Sequence, residues 1–257
     1  MTNVGAASAA NVDAVSNISR DEIELARCDL AAVFRIAAQE NLHEGVDNHC
    51  SHALRDGTFL VNRGGVHWSR MRRSDILQID HDGNVLDGDG IVEKSAFFIH
   101  GAVHRQCAHA TTVLHTHMPY ATAVACTEGG LDETLSQNSL FFYRKVSYET
   151  FGGFANNRAE GERMASRIGN CSVTMLRNHG VMVMGPTPGV ALHDLYFLER
   201  ACKLQVLAHS TGQPLVRVPD DIAELTARQG DNIDDDKEAY FKAMQQMLDD
   251  NEPDYRN

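Results

Sequence analysis

Two of the thirteen histidines in this chain of 257 residues are separated by a single residue, in His115-Thr116-His117. On a β-strand, residues i and i+2 face the same side, so two imidazoles at that spacing converge on one point. Imidazole nitrogen suits zinc, manganese, iron and their neighbours. A catalytic metal site takes three protein ligands and leaves one position open for substrate. His179 lies in the turn-forming run Asn178-His179-Gly180, where a turn can aim it at a neighbouring strand. Taken alone, His-x-His also fits two ordinary polar residues at a strand end. His43, His81, His193 and His209 have no partner pattern. His100 and His104 lie one helical turn apart and can share a face, but the Glu of a metalloprotease His-Glu-x-x-His is missing.

These residues need elements to hold them. Ser19-Arg20-Asp21-Glu22 is a capping-box pattern, and apolar residues at helical spacing extend that helix to about residue 41. Strand-like runs 49–54 and 58–62 flank Asp56-Gly57, and 76–79 and 84–86 flank Asp82-Gly83; both read as hairpins. A helical pattern follows over 93–106, then a buried strand from Thr111 into His117, then a helix opened by Pro119. A strand over 172–176 turns at Asn178-His179-Gly180 into a hairpin partner over 181–184. Thr187-Pro188 opens a long helix that Gly212 should stop, and an acidic start at Asp234 opens a last one. Hairpins mixed with helices predict a largely antiparallel or mixed sheet covered by helices.

Composition bounds the function. The net charge is −12, which argues against a general nucleic-acid binder with a basic stripe. The six cysteines form no Cys-x-x-Cys pair, which points to reduced thiols and a cytoplasmic setting. No apolar run is long enough for a membrane span. Residues 1–18 read as a disordered tail without a basic leader, and 19–257 as a single domain.

Two motifs resemble those of the class II aldolase/adducin family: His115-Thr116-His117-Met118-Pro119, and Arg177-Asn178-His179-Gly180, whose His179 lies 62 residues beyond His117. The resemblance covers roughly residues 20–212. It implies a three-layer αβα sandwich around a central, mostly antiparallel sheet. It implies one divalent metal ion per subunit (manganese or zinc, with iron a further option) held by His115, His117 and His179. It also implies a homotetramer with sites near subunit interfaces.

The sequence departs from the family's sugar-phosphate aldolases. Their acid–base Glu, counted back from His115, falls on Ala96, which cannot move a proton. Their Gly-Asn-x-Ser phosphate loop resembles Asp47-Asn48-His49-Cys50-Ser51, where Asn48 and Ser51 remain and Asp47 replaces Gly. Arg63, in Arg63-Gly64-Gly65, and Lys94 could pair with substrate carboxylates, with Ser95 beside them. Phe141, Phe142 and Tyr143 could wall a flat ring, or simply pack. Glu93 and His49 are candidate proton donors, as is a metal-bound water. This pattern favours a metal-dependent decarboxylase of a hydroxy-aromatic, pyridine dicarboxylate-like, or keto acid. The alternatives are an aldolase or epimerase acting on a small sugar phosphate, and a non-catalytic adducin-like module.

Overall fold

The computed structural model describes residues 18–153 and 157–257. The expected tail therefore lies outside the described residues, except Ile18, which is half-buried against the core. The first helix, α1 (Arg20–Gln39), starts at Ser19, whose hydroxyl accepts from the Glu22 amide while the Glu22 carboxylate accepts from the Ser19 amide. A cap of this kind is worth about 1 kcal/mol.

Eight strands follow in one sheet: β1 (His49–Ala53), β2 (Phe59–Asn62), β3 (Ile76–Ile79), β4 (Val85–Asp87), β5 (Thr112–Thr116), β6 (Val146–Glu149), β7 (Val173–Leu176) and β8 (Gly180–Gly185). Their order across the sheet is β4-β3-β2-β1-β5-β8-β7-β6. Every adjacent pair is antiparallel except β6 and β7, which run parallel. The helices are α2 (Lys94–Gln106), α3 (Pro119–Ala125), α4 (Gln137–Leu140), α5 (Arg158–Ala165), α6 (Pro188–Ser210), α7 (Asp220–Gly230) and α8 (Asp234–Asn251). The three-layer sandwich and the mostly antiparallel sheet match the expectation. Strand β6 and helices α4, α5 and α7 are additions to it. Gly212, at φ +67, follows the Thr211 cap of α6 and takes the left-handed turn that ends it.

Period-2 alternation splits the sheet's two faces. Cys50, Leu60, Leu114, Val181 and Val183 pack into the layer built by α1, α3, α6 and α8. Val113, Leu176, Met182 and Met184 pack under Ile99 and Val103 of α2 and Met164 of α5. In the β1–β5 pairing, His49 stands opposite His115 and Ser51 opposite Val113. By alternation these polar residues belong to the α2–α5 face. The site is therefore built on that face, where β5 runs out. Just beyond it, the buried Glu199 of α6 accepts from the amides of Tyr120 and Ala121 at 2.9 and 2.8 Å. A carboxylate at a helix N-terminus is stabilised by the dipole, and here it fixes the path of the chain leaving His117.

Candidate metal centre

His115 is the fourth residue of β5, and His117 follows its last. His179 sits in the β7–β8 turn, where its amide donates to the Leu176 carbonyl at 3.0 Å. Asn178 holds the left-handed conformation (φ 58) that the turn demands. Gly180 brings the turn close to β5: a Cβ there would lie 2.5 Å from the Thr116 carbonyl oxygen and 2.7 Å from His117 Cδ2. One ligand nitrogen from each of the three rings lies within 4.8 Å of the others.

The hydrogen bonds around the rings show that this donor set fits a cation. His115 Nδ1 lies 2.9 Å from the Val181 carbonyl oxygen, which can only accept. His117 Nδ1 lies 2.7 Å from Glu44 Oε2. Each Nδ1 therefore carries a hydrogen, and in the neutral rings each Nε2 presents a lone pair. The two Nε2 atoms face each other at 3.2 Å. Two lone pairs so placed repel unless a cation stands between them. A carboxylate and a carbonyl on the far nitrogens are the usual supports of metal-binding imidazoles. Burial, then the neighbouring imidazoles, hold His115 well below the ordinary histidine range. The same causes push His179 down to about 4. Both rings are thereby kept neutral, as ligands must be.

Beside the triad is a cavity of about 350 Å³. Its walls include His49, Glu93 and Ser95 of the residues predicted from sequence. Ser95 donates to Glu93 Oε1 at 2.6 Å, and its oxygen lies 3.4 Å from His49 Nε2. Asn48 is buried with a supporting role: its Oδ1 accepts from the amides of Glu44 and His117 at 2.7 and 3.3 Å. Ser51 is fully buried behind His49. Asn48 and Ser51 do not line the cavity, and three further expected substrate contacts also lie off it. Arg63 pairs with Asp75 at 3.4 Å, Lys94 is exposed on the first turn of α2, and Tyr143 packs on Leu140 and Ala223. Phe141 packs against His193 and Phe197, and Phe142 is core.

Asp47, noted in sequence as the departure in the phosphate-like loop, lines the cavity, while sequence reasoning assigned no role to Phe151, Glu149, Arg163 and Arg177, also on its wall. The Phe151 ring stands 5.8 Å from that of His179. Arg163 is bound to Glu149 and Glu160. Arg177 stacks on Tyr148 at 4.4 Å and donates to the main-chain carbonyls of Thr127 and Glu128. Among the described residues no carboxylate lies within ion-pair distance of it. Arg177 was findable, since it adjoins the Asn178-His179-Gly180 run. Phe151 and Arg163 sit just after β6 and on α5, which the sequence pattern did not reveal.

The model of the Class II Aldolase and Adducin N-terminal domain matches residues 28–206. The chain belongs to this family. A Caulobacter vibrioides protein classed with the class 2 aldolases is 33% identical over 206 residues, covering 79% of this chain and 80% of that one. The crystal structure of an aldolase II superfamily protein from Pseudomonas syringae superposes with a TM-score of 0.86 at 31% identity, covering 93% and 98% of the two chains. Decarboxylase NovR of Streptomyces niveus is 27% identical over 173 residues, covering 67% and 64%. Within the family's frame, Ala96 changes meaning. It is buried on Phe59, Val61, Leu77 and Ile79 and does not face the cavity. Ser95 and Ile99, one turn apart on α2, are the cavity-lining positions of that helix, and Glu93 at its N-cap lines the cavity as well, as do Asp47, Glu149 and Glu160.

Proposed function

We propose that this chain is a metal-dependent carbon–carbon lyase that decarboxylates a small hydroxy-acid or keto-acid, including hydroxy-aromatic acids of the hydroxypyridine dicarboxylate kind. Arg177 carries the reading: it lines the cavity beside the histidine triad, and its guanidinium, held by stacking and by carbonyls, has no carboxylate partner among the described residues. A planar, bidentate donor in that state suits a substrate carboxylate. Asp47 weighs against a sugar phosphate, because an acidic residue lines the cavity in the loop that aldolases use for phosphate.

The divalent ion, held by His115, His117 and His179, would supply Lewis acidity at the substrate oxygen nearest the breaking bond. The residues of the chain do the rest. Arg177 binds a substrate carboxylate and holds the acid in the cavity. Ile99, Phe151, Met164 and Leu176 form an apolar wall that accommodates a flat substrate and limits water. As CO₂ leaves, the bonding electrons stay on the substrate carbon, which then takes a proton. Glu93 and His49, both on the cavity wall, would carry it. A homotetramer with one manganese, zinc or iron ion per subunit completes the proposal.

A second reading, an aldolase or epimerase, is favoured by one observation. Glu93, held by Ser95, gives the cavity the acid–base carboxyl group that position 96 does not provide.

Elemental analysis and a CO₂ assay test both readings. The purified protein, dialysed against manganese, zinc or iron, should hold about one ion per chain, and His115→Ala should lose it. No binding of any of these ions would end both enzymatic readings and leave the non-catalytic module. Metal-dependent CO₂ release from a hydroxy-aromatic or keto acid is the expected result. Aldehyde from aldol substrates with no CO₂ from any acid would replace the decarboxylase by the aldolase.

A further inference from the structure

A buried hydrogen-bonded series runs from the cavity into the space between the sheet and α2. His49 Nδ1 lies 2.8 Å from His100 Nε2. His100 Nδ1 lies 2.6 Å from Ser51 Oγ. Ser51 Oγ lies 2.7 Å from His104 Nε2. His104 Nδ1 lies 2.8 Å from the Ala110 carbonyl oxygen. The register explains the assembly. His49 and Ser51 are two residues apart on one face of β1, and His100 and His104 are one turn apart on the α2 face above them.

The far end sets the direction of every bond. A carbonyl oxygen only accepts, so His104 Nδ1 carries a hydrogen and, in a neutral ring, Nε2 is a lone pair. Ser51 must then donate its single hydrogen to His104. His100 must donate from Nδ1 to Ser51, which leaves its own Nε2 as an acceptor. His49 must donate from Nδ1 to His100, and its Nε2 is left bare towards the cavity. Ser95, the nearest hydroxyl, has given its hydrogen to Glu93. Neutrality is the one requirement. His100 is fully buried, and the series contains imidazoles and a hydroxyl but no carboxylate to balance a charge. Burial pushes His104 down to about 4 and His100 well below the ordinary range.

We propose that Ser51, His100 and His104 are positioning residues that hold His49 in the Nδ1–H tautomer, so that His49 Nε2 meets the substrate as a hydrogen-bond acceptor for a hydroxyl group. The functional half rests on the lyase reading above. It narrows the substrate class to acids with an O–H donor beside the oxygen that the ion would polarise. The substrate hydroxyl hydrogen-bonds to Nε2, and a proton taken there can be returned to the carbon that CO₂ leaves.

Nitrogen-15 NMR of histidine-labelled, metal-free protein at pH 7.5 tests the tautomer without any activity. The His49 signals are assigned by their loss in His49→Gln. Wild-type protein should show a hydrogen on Nδ1 and a bare Nε2 for His49, His100 and His104. A hydrogen on His49 Nε2, or an average of both tautomers, would overturn the inference. Ser51→Ala should convert the His49 signals to such an average and lower kcat about tenfold or more, with KM within about threefold. Ser51→Thr, which keeps the hydroxyl, should restore both. Unchanged His49 signals in Ser51→Ala would remove the positioning role. If the lyase reading alone is wrong, the spectra stand and only the kinetic arm fails.

Discussion

At the scale of single residues, Arg177 separates binding from chemistry. It touches no proton-transfer group, and its partners are two carbonyls and an aromatic face. Its contribution is therefore made to the bound substrate and to the transition state alike. Removing such an interaction raises KM and leaves kcat nearly unchanged. For the acid that releases CO₂, Arg177→Gln should raise KM by about tenfold to a hundredfold, the worth of a charge-assisted pair. A loss confined to kcat would instead place Arg177 in the chemical step. The site residues legible in the sequence were those with a spacing rule behind them. His115 and His117 follow from strand alternation, and His179 from the turn before Gly180. Arg63, Lys94 and Tyr143 had only charge or aromaticity to recommend them, and residue type does not fix direction. Arg63 turns to Asp75, while Tyr143 turns to Leu140 and Ala223. Ala96 was reached by counting along the chain, which gives a position but not the face of the helix it occupies: it packs on Phe59, Val61, Leu77 and Ile79.

At the scale of elements, the cavity depends on how closely α5 lies on α2. Gly161 makes that approach possible: a Cβ there would stand 2.2 Å from the Phe98 carbonyl oxygen, which is helix backbone and cannot swing aside. Gly101, in the middle of α2, is the contrast. Its added Cβ would meet the tip of the Arg105 side chain at 3.3 Å, and that tip can move. Alanine is the better helix former by about 1 kcal/mol at both positions. Gly101→Ala should therefore leave stability unchanged or raise it, whereas Gly161→Ala should cost about 1–3 kcal/mol, the range for overpacking. Urea unfolding of both variants measures this. Equal effects would mean that α5 does not bear on α2 through Gly161. Arg163 rides on the same helix, so Gly161→Ala should also disturb the cavity wall. The elements that carry a local signal were legible: the capping box of α1, the Asp-Gly hairpins and the Thr-Pro start of α6. Strand β6 was not, because its four residues mix polar with apolar and pair in parallel with β7, far along the chain. Nor were α5 and α7, which bury few residues: Gly161, Met164 and Ala165 in α5, and Ala223 in α7.

At the scale of the whole molecule, the buried histidines oppose the chain's overall charge. The formal charge is −12, and acidification relieves that self-repulsion, which alone would favour folding at lower pH. The histidines act in the opposite sense. Burial pushes His52 and His104 down to about 4 and His100 well below its ordinary value of 6.5. In the unfolded chain these groups take up protons near 6.5, while in the folded chain they do not until about 4 or lower. The unfolded state thus binds more protons throughout that window, and stability falls as pH falls through it. Each such group contributes a slope of up to about 1.4 kcal/mol per pH unit. Asp29 and Glu199 have the reverse sign: burial raises their carboxyl groups, so the folded state keeps a proton longer, but they act towards the acid end of the range. Between pH 6.5 and 5.5 the histidines should dominate. Metal-free protein should then show a urea midpoint that drops steadily from pH 7 to 5.5, with uptake of about two or more protons on unfolding. A midpoint that rises on acidification would mean that charge relief outweighs them, and that the rings around Ser51 take up protons in the folded state as readily as in the unfolded one.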